Sequence, residues 1–96
     1  MKEPFHRNEA KKRIQALLHK PDRVITLTRH AEEELANDEL TTVDAEKALL
    51  AGRILEEPEL VNGTWRYRVH TERMVVVVAF VSESKLKIIT AWRKKK

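Results

Sequence analysis

Cysteine is absent from this chain, and glycine occurs only twice and proline three times in 96 residues. Without cysteine there is no disulfide framework and no thiolate nucleophile, so the core must form by packing alone, as suits a reducing compartment. With only Gly52 and Gly63 available, there is no Walker loop, Gly-rich dinucleotide turn or nucleophile elbow, each of which needs glycines where backbone must turn sharply or approach a phosphate. Zinc-knuckle spacing is missing too. The longest apolar run, Met74 to Val81, has eight residues, far short of the roughly 20 needed to cross a bilayer as a helix. The opening Met1-Lys2-Glu3-Pro4 lacks an apolar signal region, so a cytoplasmic protein with no membrane partner is expected.

What is present describes a soluble globular chain, 42% apolar and 35% charged, of a length expected for one domain spanning 1–96. The net charge of +4 is unevenly spread. Residues 1–48 carry 9 Lys/Arg against 10 Asp/Glu, residues 49–96 carry 10 against 5, and from Asn62 onward the balance is 9 against 2. Clustered cations attract phosphate backbones by releasing condensed counterions, which makes nucleic acid the leading ligand class. The closing run Lys94-Lys95-Lys96 reads more simply as a solvated tail.

Helices are expected first and strands second. Ile14, Leu17 and Leu18 form an apolar stripe at helical spacing over about Asn8 to His19, which Pro21 stops. An extended stretch, Val24 to Leu27, leads to Thr28, a candidate N-cap for a helix over Arg29 to Asn37 expected to bury Ala31, Leu35 and Ala36. Thr41 with Asp44 resembles a capping box, opening a helix over Val43 to Ala51 with Gly52 expected as its C′ residue. Four strand candidates follow: Arg53 to Glu57, Thr64 to His70, Arg73 to Val81 and Lys85 to Trp92. Asn62-Gly63 is a tight-turn signal and the other connections are hairpin-length, so the expected fold is α+β, N-terminal helices packed on a small antiparallel sheet of about four strands. Val75-Val76-Val77-Val78 shows no alternation and argues for a central strand covered on both faces, by helices or by a protein partner.

Strict alternation in Thr64 to His70 sends Arg66, Arg68 and His70 to one face and Trp65, Tyr67 and Val69 to the other. In the last strand the same parity groups Lys85, Lys87, Ile89, Ala91 and Arg93 against Leu86, Ile88, Thr90 and Trp92, so Trp92 reads as core. If the two basic faces coincide, Arg66, Arg68, His70, Lys85, Lys87 and Arg93 form one cationic surface suited to a polyanion. His30, in the first turn of a capped helix, is the other candidate for proton transfer. Paired with Glu33 or Glu34 at helical spacing it lacks a third metal ligand, so no metal and no cofactor is expected. His6 and His19 read as solvent-facing.

The runs Leu27-Thr28-Arg29-His30-Ala31, Leu40-Thr41-Thr42-Val43-Asp44-Ala45 with Gly52-Arg53-Ile54, Arg66-Tyr67-Arg68-Val69 and Ile88-Ile89-Thr90-Ala91-Trp92 resemble the bacterial domain of unknown function 4258 over residues 24–93. That family is grouped with the RelE-like toxins, including the BrnT and MqsR types, of the barnase/EndoU/colicin/RelE fold. The resemblance implies a toxin of a toxin-antitoxin system, a metal-independent endoribonuclease whose partners are RNA and a cognate antitoxin bound as a hetero-oligomer. It carries the family's His-Ala motif to His30 and Ala31, its Arg-Tyr pair to Arg66 and Tyr67 and its strand-end threonine to Thr90. The roles implied are acid or base for His30, phosphorane stabilisation for Arg66 and an orienting hydrogen bond for Thr90. Where family members often carry Arg-Gly after the His-Ala helix, this chain has Asp38-Glu39. The alternative expectation is a non-catalytic RNA- or protein-binding module on the same scaffold. A DNA-binding repressor is disfavoured, because neither the helix preceding the strands nor the third helix aligns base-reading Arg, Asn or Gln along one face; Lys11, Lys12, Arg13 and Gln15 of the first helix suit phosphate contact without specific readout.

Overall fold

The computed structural model describes residues 2–94, and Lys95 and Lys96 of the basic tail lie outside them. Three helices and five strands follow in the order α1 (Arg7–Leu18), β1 (Val24–Leu27), α2 (Arg29–Asn37), α3 (Thr42–Ala51), β2 (Glu59–Val61), β3 (Thr64–His70), β4 (Met74–Phe80) and β5 (Lys85–Arg93). The fold is α+β as expected. The sheet runs β1-β5-β4-β3-β2, antiparallel throughout except that β1 joins β5 in parallel. The stretch Val24 to Leu27 is therefore a fifth strand, which makes the sheet mixed. No helix is long and apolar enough to cross a membrane among the described residues.

All three helices contribute to one core. Ala10, Ile14 and Leu17 of α1, Ala31 and Leu35 of α2, and Ala45 and Leu49 of α3 pack with Tyr67, Val69, Val76, Val78, Leu86, Ile88 and Ala91. These recur every three or four positions in the helices and every second position in β3 and β4, so one stripe meets one sheet face. Val75, Val77 and Ala79 point the other way and stand outside that cluster, yet Val75 and Val77 are only 3% and 5% exposed. No helix is needed to cover them: Val75 is flanked by His70 and Trp92, and Val77 by Arg68 and Thr90. Long polar side chains shield apolar surface with their stems while keeping their heads in water. The expectation of helices or a partner on both faces of the valine run is thus replaced by cover from neighbouring strands.

Alternation fails at one point in β5. Val78 pairs with Ile88 whereas Val77 pairs with Thr90, so Ile89 is an extra residue, a β-bulge. Beyond it the parity inverts: Thr90 and Trp92 join Lys85 and Lys87 on the helix-free face, while Ala91 and Arg93 turn to the helix side. Thr28 fastens this bulge. Its hydroxyl accepts from the Ala31 N–H at 3.0 Å as the N-cap of α2 and donates to the Ile89 carbonyl at 2.6 Å, while its own N–H bonds the Ile88 carbonyl at 3.0 Å.

The remaining boundaries are set locally. Thr41 and Asp44 form the expected capping box, and the Thr41 N–H and hydroxyl hold the Asp44 carboxyl below the usual carboxylate range. At the other end of α3, Lys11 donates to the Leu49 and Leu50 carbonyls at 2.6 and 2.9 Å. Gly52 is not a left-handed C′ residue: its φ is −78°. A Cβ there would lie 2.6 Å from both the His70 carbonyl and a Val69 methyl, so close approach of α3's end to β3 is what requires glycine. Nor is Arg53 to Glu57 a strand. Only Arg53 pairs, with His70, and the hairpin is built by Glu59–Val61 across Asn62 (φ 50°) and Gly63 (φ 78°), a tight turn that needs both residues left-handed.

α2 ends in a Schellman motif, with Leu40 N–H to the Leu35 carbonyl at 2.8 Å and Glu39 N–H to Ala36 at 3.1 Å. Its C′ position is Glu39, at φ 58°, a left-handed conformation that glycine adopts without penalty. Glu39→Gly should therefore raise the unfolding free energy by about 1 kcal/mol in chemical denaturation, because the left-handed penalty of a Cβ is removed. Thr28→Val, which keeps the shape but deletes the hydroxyl, should lower it by about 1–3 kcal/mol, visible as a drop in Tm.

Candidate nucleic-acid interface

The helix-free face of the sheet carries two ranks of polar side chains on either side of the apolar strip Val75–Val77–Ala79. Across β4, His70 faces Trp92 over Val75, and Arg68 faces Thr90 over Val77. Continuing the same register puts Arg66 level with Ala79, whose β5 partner is Lys87; Thr26 of β1 extends that row. Lys85 lies two residues further along. Five of the sequence-predicted residues on β3 and β5 (Arg66, Arg68, His70, Lys85 and Lys87) thus share one face, and Thr90 joins them through the bulge.

Ion pairing separates these cations from those in the first half of the chain. Arg7, Arg13, Arg23 and Arg29 each have a glutamate within 4.0 Å. Of the arginines and lysines on the sheet face only Arg68 has one, Glu59 at 4.0 Å and well exposed, while Arg66, Lys85 and Lys87 have none within that distance among the described residues. An exposed pair at that distance contributes at most a few tenths of a kcal/mol. Arg66 also keeps a buried Nε with no hydrogen-bond partner, and Thr26 Oγ1 in the same row is likewise unmatched. Cations that outnumber the neighbouring carboxylates in this way leave the face with a positive potential.

His70 is the most tightly placed of the group. Its Nε2 lies 2.8 and 2.9 Å from the two carboxylate oxygens of Glu56, and its side chain is 16% exposed. Its backbone exchanges both hydrogen bonds with Arg53, at 2.7 and 2.8 Å. A histidine oriented by a carboxylate and flanked by arginines has the parts of a proton-transfer group. Glu56 and Arg53 were missed by sequence reading because they reach His70 from the irregular segment after α3, 14 residues away in the case of Glu56.

Two predicted members fall elsewhere. Arg93 does not join the cationic face: past the bulge it turns to the helix side, where its N–H and guanidinium bond the Asp38 carboxylate and carbonyl, both at 2.8 Å. It borders an open groove round the end of the sheet together with Lys47, Arg53, His70 and Arg73. His30 is exposed in the first turn of α2, beside edge strand β1, with no hydrogen bond or ion pair among the described residues. The strand order places β1, which leads into α2, three spacings from β3, the strand of Arg66, roughly 14 Å at the usual strand separation. The Arg66-Tyr67 pair is split by the sheet. Tyr67 lies in the core, its hydroxyl accepting from Phe5 N–H and donating to Glu3, each at 3.0 Å, and burial pushes its pKa far up so that it stays neutral. Trp92, expected in the core, stands on the open face.

A family model, the domain of unknown function DUF4258, matches residues 27–93, from the last residue of β1 to the end of β5. The chain belongs to that family. No curated protein and no solved structure matches it. The matched segment contains the whole cationic face except Thr26, together with Glu56 and His30, and it leaves α1 outside.

Because its guanidinium bonds the Asp38 carbonyl at the end of α2, Arg93→Ala should cost about 1 kcal/mol of stability, read as a fall in Tm on thermal denaturation.

Proposed function

We propose that this protein is the toxin of a bacterial toxin-antitoxin system, a metal-independent endoribonuclease on a RelE-like scaffold. The observation that carries the proposal is the helix-free sheet face on which Arg66, Arg68, Lys85 and Lys87 stand almost free of carboxylates beside a carboxylate-oriented histidine. The family match and the placing of helices on one side of a small sheet support it, the RelE-like scaffold being itself part of the proposal. In this proposal the cations hold the RNA backbone, a base removes the ribose 2′-hydroxyl proton, and the oxygen attacks the adjacent phosphorus. The P–O5′ bond breaks, leaving a 2′,3′-cyclic phosphate and a 5′-hydroxyl that takes up a proton. Arg66 and Arg68 stabilise the phosphorane charge and Thr90 orients the phosphate. Of the two candidate histidines, His70 takes the proton-transfer role, since it shares the face with both arginines and is oriented by Glu56, while His30 is exposed on α2 with no partner among the described residues. A cognate antitoxin with acidic side chains would silence the enzyme by occupying the same face, in a hetero-oligomer.

Purified protein should cleave naked single-stranded RNA in the presence of a chelator. His70→Ala and Arg66→Ala should each lower the rate about 10²- to 10³-fold, while His30→Ala should leave it within a few-fold. Arg68→Ala and Lys87→Ala should each flatten the dependence of log K on log salt by about 0.7, one phosphate contact apiece. Binding without cleavage in every condition would reduce the protein to an RNA-binding module; loss in His30→Ala but not His70→Ala would return the proton-transfer role to His30.

A further inference from the structure

One side chain on the open face has no part in phosphate binding. Trp92 is partly exposed there, its indole N–H has no hydrogen-bond partner among the described residues, and no other aromatic ring packs on it. The second tryptophan, Trp65, by contrast packs against the core. The bulge at Ile89 is what turns Trp92 outward: without the extra residue it would share the face of Leu86 and Ile88. A protein that needed only to shield Val75 could do so with a leucine. Instead a planar ring with its polar edge unpaired stands across Val75 from the His70 imidazole, one row from the Arg68–Thr90 pair.

We infer that Trp92 is a stacking platform for one nucleobase of a single-stranded RNA whose adjoining phosphates lie on Arg68 and Arg66. This deepens the proposed function and rests on it for the identity of the ligand. Every base has a π-face, so such a platform binds any unpaired base and gives little sequence preference. Bases in an A-form duplex are stacked on one another and unavailable, so the platform selects single strands over double strands. The spacing fits: β-strand neighbours along a strand's face lie two residues apart, about 6.5–7 Å, close to the step between successive nucleotides of an extended strand. Trp92 and Thr90 are thus one such step apart, base beside phosphate.

The test is equilibrium binding of a fluorescent single-stranded ten-mer to wild-type, Trp92→Phe and Trp92→Leu proteins, with inorganic polyphosphate as a base-free polyanion. Trp92→Leu should weaken RNA binding on the order of tenfold, Trp92→Phe should retain most of it, and polyphosphate affinity should be unchanged in both. In a Trp65→Phe background, RNA but not polyphosphate should quench the remaining indole fluorescence, a measurement that holds even where Trp92→Leu is too unstable to purify. Equal affinities in all three proteins, a matching loss for polyphosphate, or unquenched indole would overturn the inference. RNA that binds through Trp92 and is never cleaved would defeat the nuclease proposal alone; cleavage with an unquenched indole would defeat this inference alone.

Discussion

The Thr28 hydroxyl, shared between the first turn of α2 and the carbonyl of Ile89, is the contact on which the chemistry of the sheet depends. Side chains alternate along a strand with a period of two, so one inserted residue reassigns everything beyond it to the opposite face. Here the insertion exchanges Arg93 and Ala91 for Thr90 and Trp92. The helix side gains a small residue to pack and an arginine to tie down the end of α2; the other side gains a hydroxyl and an indole. A single oxygen thereby links helix capping to the composition of a surface three strands wide.

The open face shows how a small sheet manages with helices on only one side. Val75, Val77 and Ala79 would offer an apolar strip down the middle strand, a feature that invites association. Arginine, lysine, histidine and tryptophan from the flanking strands close over it, and the valines end up almost fully buried. The cations therefore have two roles that need not conflict, since their methylene stems cover the valines while their charged heads remain in solvent. Like charges on one face repel one another, and an anion bound there would relieve that repulsion.

Much of the fold was legible in the residues. Thr28, the Thr41–Asp44 box, Pro21 and Asn62-Gly63 act through their immediate neighbours, and so could be read without knowing what packs where. The alternation of Thr64 to His70 placed Arg66, Arg68 and His70 correctly for the same reason. What escaped reading depends on partners remote in sequence. The bulge exists only in relation to β4 and Thr28, and misplacing it sent Trp92 inward and Arg93 outward. Gly52 resembled a helix terminator, but its requirement comes from the carbonyl of His70. Glu56 carried no local signal at all, being one of two adjacent glutamates in an irregular segment.

The segment that matches the family begins at Leu27, yet the interior is not closed by that segment. Phe5, Ala10, Ile14, Leu17 and Leu18 all lie before it and are all buried, and Phe5 meets Tyr67 and Phe80 in a three-ring cluster. Phe5 also caps the Tyr67 hydroxyl through its backbone, and the Arg13 guanidinium lies 4.2 Å from its ring centre. The boundary of the shared domain is thus not a boundary of folding: the family segment is a half-shell whose lid is written upstream. Cut at Leu27, the shell would open the hollow between Tyr67 and Phe80 to water, so residues 27–93 by themselves lack the pieces that close this interior.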